Sequence, residues 1–118
     1  MTPVGLCIES LRRERRITHV ALSEKLGVTA GYLCSIESGR KVPSSNNFIS
    51  QLAEHLNLDS SEYQTLLLAN EQSKKTWRVP KTMNPDEYRL VSAVWDQLGT
   101  MSPEKIQALL MMLRMEQN

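Results

Sequence analysis

Long apolar runs are missing from this 118-residue chain, and a membrane-spanning helix needs roughly 20 consecutive apolar residues. No membrane segment is expected. Met1-Thr-Pro-Val-Gly-Leu also lacks the basic start and apolar stretch of a secretory signal, which points to the cytoplasm. Cysteine is scarce: Cys7 and Cys34 are the only two, and neither lies in a CxxC pair or beside a histidine cluster with metal-ligand spacing. They read as free, buried thiols, and no metal is expected. There is no glycine-rich phosphate loop and no nucleophile in a motif context, and the two histidines, His19 and His55, carry no catalytic pattern. An enzyme is therefore not expected, nor is a cofactor. An excess of one charge is missing as well: 14 Lys/Arg stand against 13 Asp/Glu, for a net charge of +1. A polyanionic partner cannot be inferred from that total, only from a local basic face.

What remains is an ordinary globular composition, 41% hydrophobic, long enough for one domain with a modest core plus an appendage. No strand-like alternation and no internal repeat occur, so the fold class expected is all-α. Leu6, Cys7, Ile8 and Leu11 fall at helical spacings and predict a first helix over Val4–Arg15. Thr18 is a good N-cap for a short second helix, His19–Leu26, with Ala21, Leu22 and Leu26 on one side. Gly27 suits the left-handed backbone of a tight turn. Val28 can then enter the core, and Thr29 caps a third helix, Ala30–Glu37, with Leu33 and Ile36 inward. Ser44 or Ser45 caps a fourth helix reaching about Leu56, and Asp59-Ser-Ser-Glu62 reads as the capping box of a fifth, to about Ala69.

The stretch 71–83 has four positive charges (Lys74, Lys75, Arg78, Lys81) and no apolar period, so it reads as a basic linker or arm. Asn84-Pro-Asp-Glu87 and Ser102-Pro-Glu104 open two further helices. Tyr88, Val91, Trp95 and Leu98 line one; Ile106, Leu109, Leu110 and Leu113 line the other. The domains expected are thus residues 1–70, a linker over 71–83, and a helical hairpin over 84–118 whose apolar stripes serve packing or dimerisation. Met111, Met112 and Met115 add apolar surface that needs a partner.

The informative block runs from Thr18 to Pro43. A small residue at Ala21 lets two helices cross closely, Gly27 makes the sharp turn, and Val28, Leu33 and Ile36 fix the angle. The second of these helices can then project into a major groove about 12 Å wide. The segments Leu22-Ser-Glu-Lys-Leu-Gly-Val-Thr29 and Tyr32-Leu-Cys-Ser-Ile-Glu-Ser-Gly39, and the proline and serine before the fourth helix, resemble the Xre family of phage-repressor (Cro-like) helix-turn-helix regulators over about residues 4–69.

That resemblance implies a five-helix phage-repressor-like domain binding double-stranded DNA. It implies a structural ion pair between Arg12 and Glu37. His19 stands where relatives place a glutamine on a phosphate, and it departs from that pattern. Thr29, Ala30, Gly31 and Ser35 match base-reading positions, Tyr32 is the largest side chain beside them, and Ser38, Arg40 and Lys41 match backbone contacts. The base-reading side chains are small, which leaves thymine-methyl contacts and single hydroxyl contacts for direct readout.

Residues 1–58 carry seven Lys/Arg against five Asp/Glu, with Arg12, Arg13, Arg15 and Arg16 bunched together. That cluster reads either as a DNA face or as a solvated helix end. Lys74–Arg78 reads equally as a DNA-following arm or a plain linker. The function expected is a sequence-specific, cytoplasmic, nucleoid-associated transcriptional repressor that binds an inverted-repeat operator as a homodimer. Two alternatives stay open: an antitoxin or anti-repressor module whose carboxy-terminal hairpin binds another protein, and a low-specificity nucleoid-like DNA binder.

Overall fold

A computed structural model of the chain describes residues 1–43 and 45–115. Among the described residues there are seven α-helices and no strand: α1 Pro3–Glu14, α2 His19–Leu26, α3 Ala30–Glu37, α4 Asn46–His55, α5 Ser60–Gln72, α6 Pro85–Gln97 and α7 Pro103–Leu113. The all-α expectation agrees with this. The chain divides into two units, Met1–Trp77 and Arg78–Asn118.

Caps explain where the helices of the first unit begin. Thr2 accepts from the Gly5 amide and Pro3 occupies the first helical position, so α1 starts one residue earlier than apolar spacing predicts. Thr18 and Thr29 accept from the Ala21 and Tyr32 amides, and Asp59 forms a capping box with Glu62. Ser45 holds the N-cap position of α4 without a side-chain bond, and Ser44, its alternative as cap, lies outside the described residues.

Helix α1 packs on α3 and α5, and α2 packs on α3 and α4. The packing encloses one core in which Val4, Ile8, Leu22, Leu33, Ile36, Ile49, Leu52 and Leu66 are fully buried. Val28 and Cys7 sit against the edge of that core, and both Cys7 and Cys34 are free and half-buried rather than buried. Leu6, counted on the apolar side of α1, is exposed. Burial, followed by the carboxylates of Glu14 and Glu62, pushes the Cys7 thiol above its ordinary pKa, which keeps it in the unreactive protonated form.

Part of the stretch expected to be linker belongs to this unit. Glu71 and Gln72 finish α5. Ser73 is buried; its Oγ donates to the Ala69 carbonyl (2.6 Å) and accepts from the Val4 amide (2.8 Å), one of the α1 donors that lacks an intrahelical partner.

In the second unit, Asn84 and Glu87 form a capping box for α6, and Ser102 accepts from Lys105 at the start of α7. Neither helix has a buried residue. The two do not close on each other. Instead they line a groove of about 730 Å³ with Leu90, Val94, Leu98, Ile106, Leu109 and Leu113 among its walls. No helix among the described residues is long and apolar enough to cross a membrane.

Gly5 is required by a close approach. A Cβ there would overlap the backbone carbonyl oxygens of Ile36 and Glu37 at the end of α3. Gly5→Ala is therefore expected to lower stability by about 2 kcal/mol or more, as overpacking against rigid backbone does. Gly31 lies inside α3 with open space around it, so Gly31→Ala is expected to raise stability by about 0.5–1 kcal/mol. Urea-unfolding midpoints of the two variants check both signs.

Candidate nucleic-acid interface

The geometry of the site begins with a buried carboxylate. Glu37, the last residue of α3, is 4% exposed, and an isolated charge at such a place would be strongly disfavoured. Arg12 answers it from α1 with two parallel bonds, Nε to Oε2 at 2.9 Å and Nη2 to Oε1 at 3.1 Å. The remaining Arg12 nitrogen, Nη1, donates to the Ile17 carbonyl just before α2. The hydrogen bonds to Glu37 outweigh burial and raise the Arg12 pKa above its ordinary value, so this cation is permanent. One arginine thereby ties α1, the entry to α2 and the end of α3 together.

His19 completes the cluster. It stands where relatives place a glutamine, and its Nε2 lies 3.0 Å from Glu37 Oε1. The ring is about one-third exposed (36%), so it spans from the buried pair to solvent.

On this frame, α2 and α3 meet through Gly27, whose φ of 70° is the left-handed conformation that the turn requires. Thr29 and Gly31 are exposed, and Ala30, Tyr32 and Ser35 are half-buried along the start and next turn of α3. Thr29 Oγ1 accepts from the Tyr32 amide and keeps its own proton to donate. Ser35 Oγ donates to the Gly31 carbonyl at 2.9 Å, so toward a ligand it can only accept. The Tyr32 ring is held edge-on against Phe48 at 5.9 Å and covered by Lys41 Nζ at 5.7 Å. It is a fixed feature rather than a swinging side chain.

In the following loop, Ser38 Oγ donates to the Ser35 carbonyl and accepts from Arg40 Nε. Ser38 thus orients Arg40. Lys75 Nζ donates to the Gly39 carbonyl at 2.8 Å, which fastens the segment after α5 to this loop and adds a third cation beside Arg40 and Lys41. Nothing in the spacing of the chain points to that contact, because the partners are 36 residues apart. Beside it, Lys74 lies over the exposed Trp77 ring and pairs with Glu71.

The arginine cluster of α1 turns out not to be one face. Arg12 is buried with Glu37, while Arg15 donates to the Leu56 carbonyl (2.6 Å) and to Glu62 (2.9 Å). Both are structural. Arg13 pairs with Glu9, and Arg16, with a positive φ of 53°, is the exposed member after the helix. In the second unit, Tyr88, Val91, Trp95, Leu98, Ile106, Leu110 and Leu113 are exposed and Leu109 is half-buried. No group of three or more metal-ligating side chains occurs among the described residues.

A tight two-helix turn braced from α1, with a small-residue face and a basic loop, defines a DNA-binding helix-turn-helix module. The chain belongs to the helix-turn-helix domain family, which it matches over residues 4–66. No curated protein matches its sequence. Among solved structures it is similar to a chain of a SinR protein/SinI protein complex, at 22% identity over 94% of each chain with a TM-score of 0.48.

Two outcomes follow from this arrangement. Arg12→Ala leaves Glu37 buried without its main partner and is expected to cost about 3–5 kcal/mol in chemical denaturation, far more than Arg13→Ala at an exposed pair. Arg40→Ala is expected to weaken binding to all duplexes alike and reduce the slope of log affinity against log salt by about one per protomer, whereas Ser35→Ala alters base preference. Titrations at several salt concentrations separate these two.

Proposed function

We propose that this protein is an Xre-type, phage-repressor-like transcriptional repressor that binds an inverted-repeat operator as a homodimer in the cytoplasm, associated with the nucleoid. The observation that carries the reading is the α2–Gly27–α3 unit, braced by Arg12 and Glu37, with Thr29, Ala30, Gly31, Tyr32 and Ser35 grouped on the recognition helix next to Arg40 and Lys41. The role is binding rather than catalysis, and no cofactor is required.

One recognition helix covers only a few base pairs. Two copies related by a two-fold axis read two half-sites about one helical turn apart, and linking them raises effective affinity. In this reading the compact unit Met1–Trp77 reads DNA, and residues 84–118 form a helical hairpin that supplies the dimer interface. The apolar side chains of α6 and α7 stand uncovered, and a second copy that buries them removes that surface from water. The groove of about 730 Å³ in the same unit also favours a second reading, in which another protein inserts an apolar segment there.

Selection from random duplexes at a stated salt, with mass measurement in solution, tests the proposal. An enriched inverted repeat and a dimeric mass support it. Equal affinity for unrelated duplexes points to a low-specificity DNA binder, and a monomer that becomes stable only with a partner points to the protein-binding module. Leu110→Asp is expected to shift the dimer to monomer and weaken operator binding about 100-fold or more, with helical content unchanged.

A further inference from the structure

We infer that Lys75, from the segment that follows α5, is a DNA-backbone contact whose ammonium is seated on the Gly39 carbonyl with two donors left for a phosphate. The inference rests on the DNA-binding reading above and adds to it one contact residue from a separate stretch of chain.

Both ends of this side chain are held. At its root, two residues earlier, Ser73 is buried, with its hydroxyl bonded to the Ala69 carbonyl and the Val4 amide. At its tip, Lys75 Nζ donates to the Gly39 carbonyl at 2.8 Å. That carbonyl belongs to a fixed loop. Gly39 has a φ of 86°, and a Cβ there would lie 2.9 Å from Met1 Cα and from Thr2 N, so the turn is packed closely against Met1 and Thr2. The next two amides, of Arg40 and Lys41, donate to the Ser35 carbonyl of α3 at 2.9 Å and 3.1 Å. The ammonium therefore rests on backbone that is tied to the recognition helix.

The charges around it favour an anion. Lys74, next in sequence, pairs with Glu71, whereas Arg40, Lys41 and Lys75 form no ion pair among the described residues. All three are exposed. Cations gathered at one edge without carboxylates repel one another, and a polyanion relieves that repulsion. An ammonium has three donors and no acceptor, so a neutral carbonyl that takes one of them leaves both the charge and two donors for phosphate oxygens.

The place suits a duplex. A helix lying in the major groove has a phosphate strand along each side. Arg40 and Lys41 follow α3 directly, and Lys41 Nζ lies 5.7 Å from the centre of the Tyr32 ring on that helix. Lys75 extends the same edge from another part of the chain. A free lysine has much rotamer freedom to lose when it takes a phosphate, and one already held at root and tip has less.

The test titrates the full chain against one fixed duplex taken from the selection, from about 50 mM to about 200 mM salt, as the wild type, Lys75→Met, Lys75→Arg and Lys105→Met. Lys75→Met keeps the apolar stem and loses the charge and its donors. Its affinity is expected to fall and its slope of log affinity against log salt to drop by about one per protomer, so that the wild-type advantage shrinks about threefold to fourfold per protomer across this range. Lys75→Arg retains a cation with donors and is expected to keep the wild-type slope. Lys105 is exposed on α7 in the second unit, and Lys105→Met, which removes the same charge, is expected to leave the slope unchanged.

A wild-type slope in Lys75→Met overturns the inference even where affinity falls, because the lysine is then a brace for the loop and not a phosphate contact. Equal slope changes in Lys75→Met and Lys105→Met overturn it as well, by assigning the effect to net charge. Either result leaves DNA binding by the wild type standing, whereas a wild type that binds no duplex overturns that reading and this inference together. Amine-reactive footprinting of the wild type, read by mass spectrometry with and without the duplex, gives a second measurement. Protection of Lys75 but not Lys105 is expected, and an unprotected Lys75 overturns the inference without any variant having to fold.

Discussion

The Arg12–Glu37 pair is the contact on which the reading head depends. It is bidentate and buried, and it joins residues 25 positions apart at the junction of α1, α2 and α3. A buried ion pair of this kind contributes little net stability compared with an apolar replacement, because desolvation offsets much of the attraction. What it supplies is direction. Two planar groups bonded in parallel tolerate little rotation, so the end of the recognition helix is held relative to α1. Gly5 reinforces the same junction by bringing α1 to backbone distance from Ile36 and Glu37. Hydrophobic burial stabilises the bundle, and this polar contact sets its angle.

The same pair sorts the arginines. Four basic side chains within five positions look like a surface for a polyanion when only the sequence is considered. Arg12 and Arg15 instead spend their donors on Glu37, Glu62 and the backbone carbonyls of Leu11, Ile17 and Leu56. Positive charge also gathers around the loop after α3, where Arg40 and Lys41 are joined by Lys75. The shift is from a helix face to a loop edge, beside the recognition helix.

Local chemistry was legible from the residues, and distant pairing was not. Thr18, Gly27 and Thr29 act within a few residues of themselves, so cap, turn and cap could be read directly, as could the Asp59–Glu62 box. Resemblance to a family supplied Arg12 with Glu37, which spacing alone does not give. Arg15 with Leu56, Ser73 with Val4 and Lys75 with Gly39 left no trace in any local pattern, because each is decided by how the helices pack. His19 is the sharpest case: its position was readable, but its donor is claimed by a residue 18 positions away. The apolar periods of α6 and α7 are equally plain in sequence, yet period alone does not tell whether two helices close on each other.

The Ser73 hydroxyl has a consequence for where this domain ends. It receives the Val4 amide from the first turn of α1 and gives its own proton to Ala69 at the close of α5, so it acts as a clasp between the beginning of the unit and its last helix. Similarity to the family stops at residue 66, whereas the compact unit runs to Trp77. A fragment cut at the family boundary would discard the clasp along with the final turns of α5 and expose the amide it satisfies. The compact unit is therefore longer than the segment that matches the family, and the residues beyond that match fasten its last helix to its first.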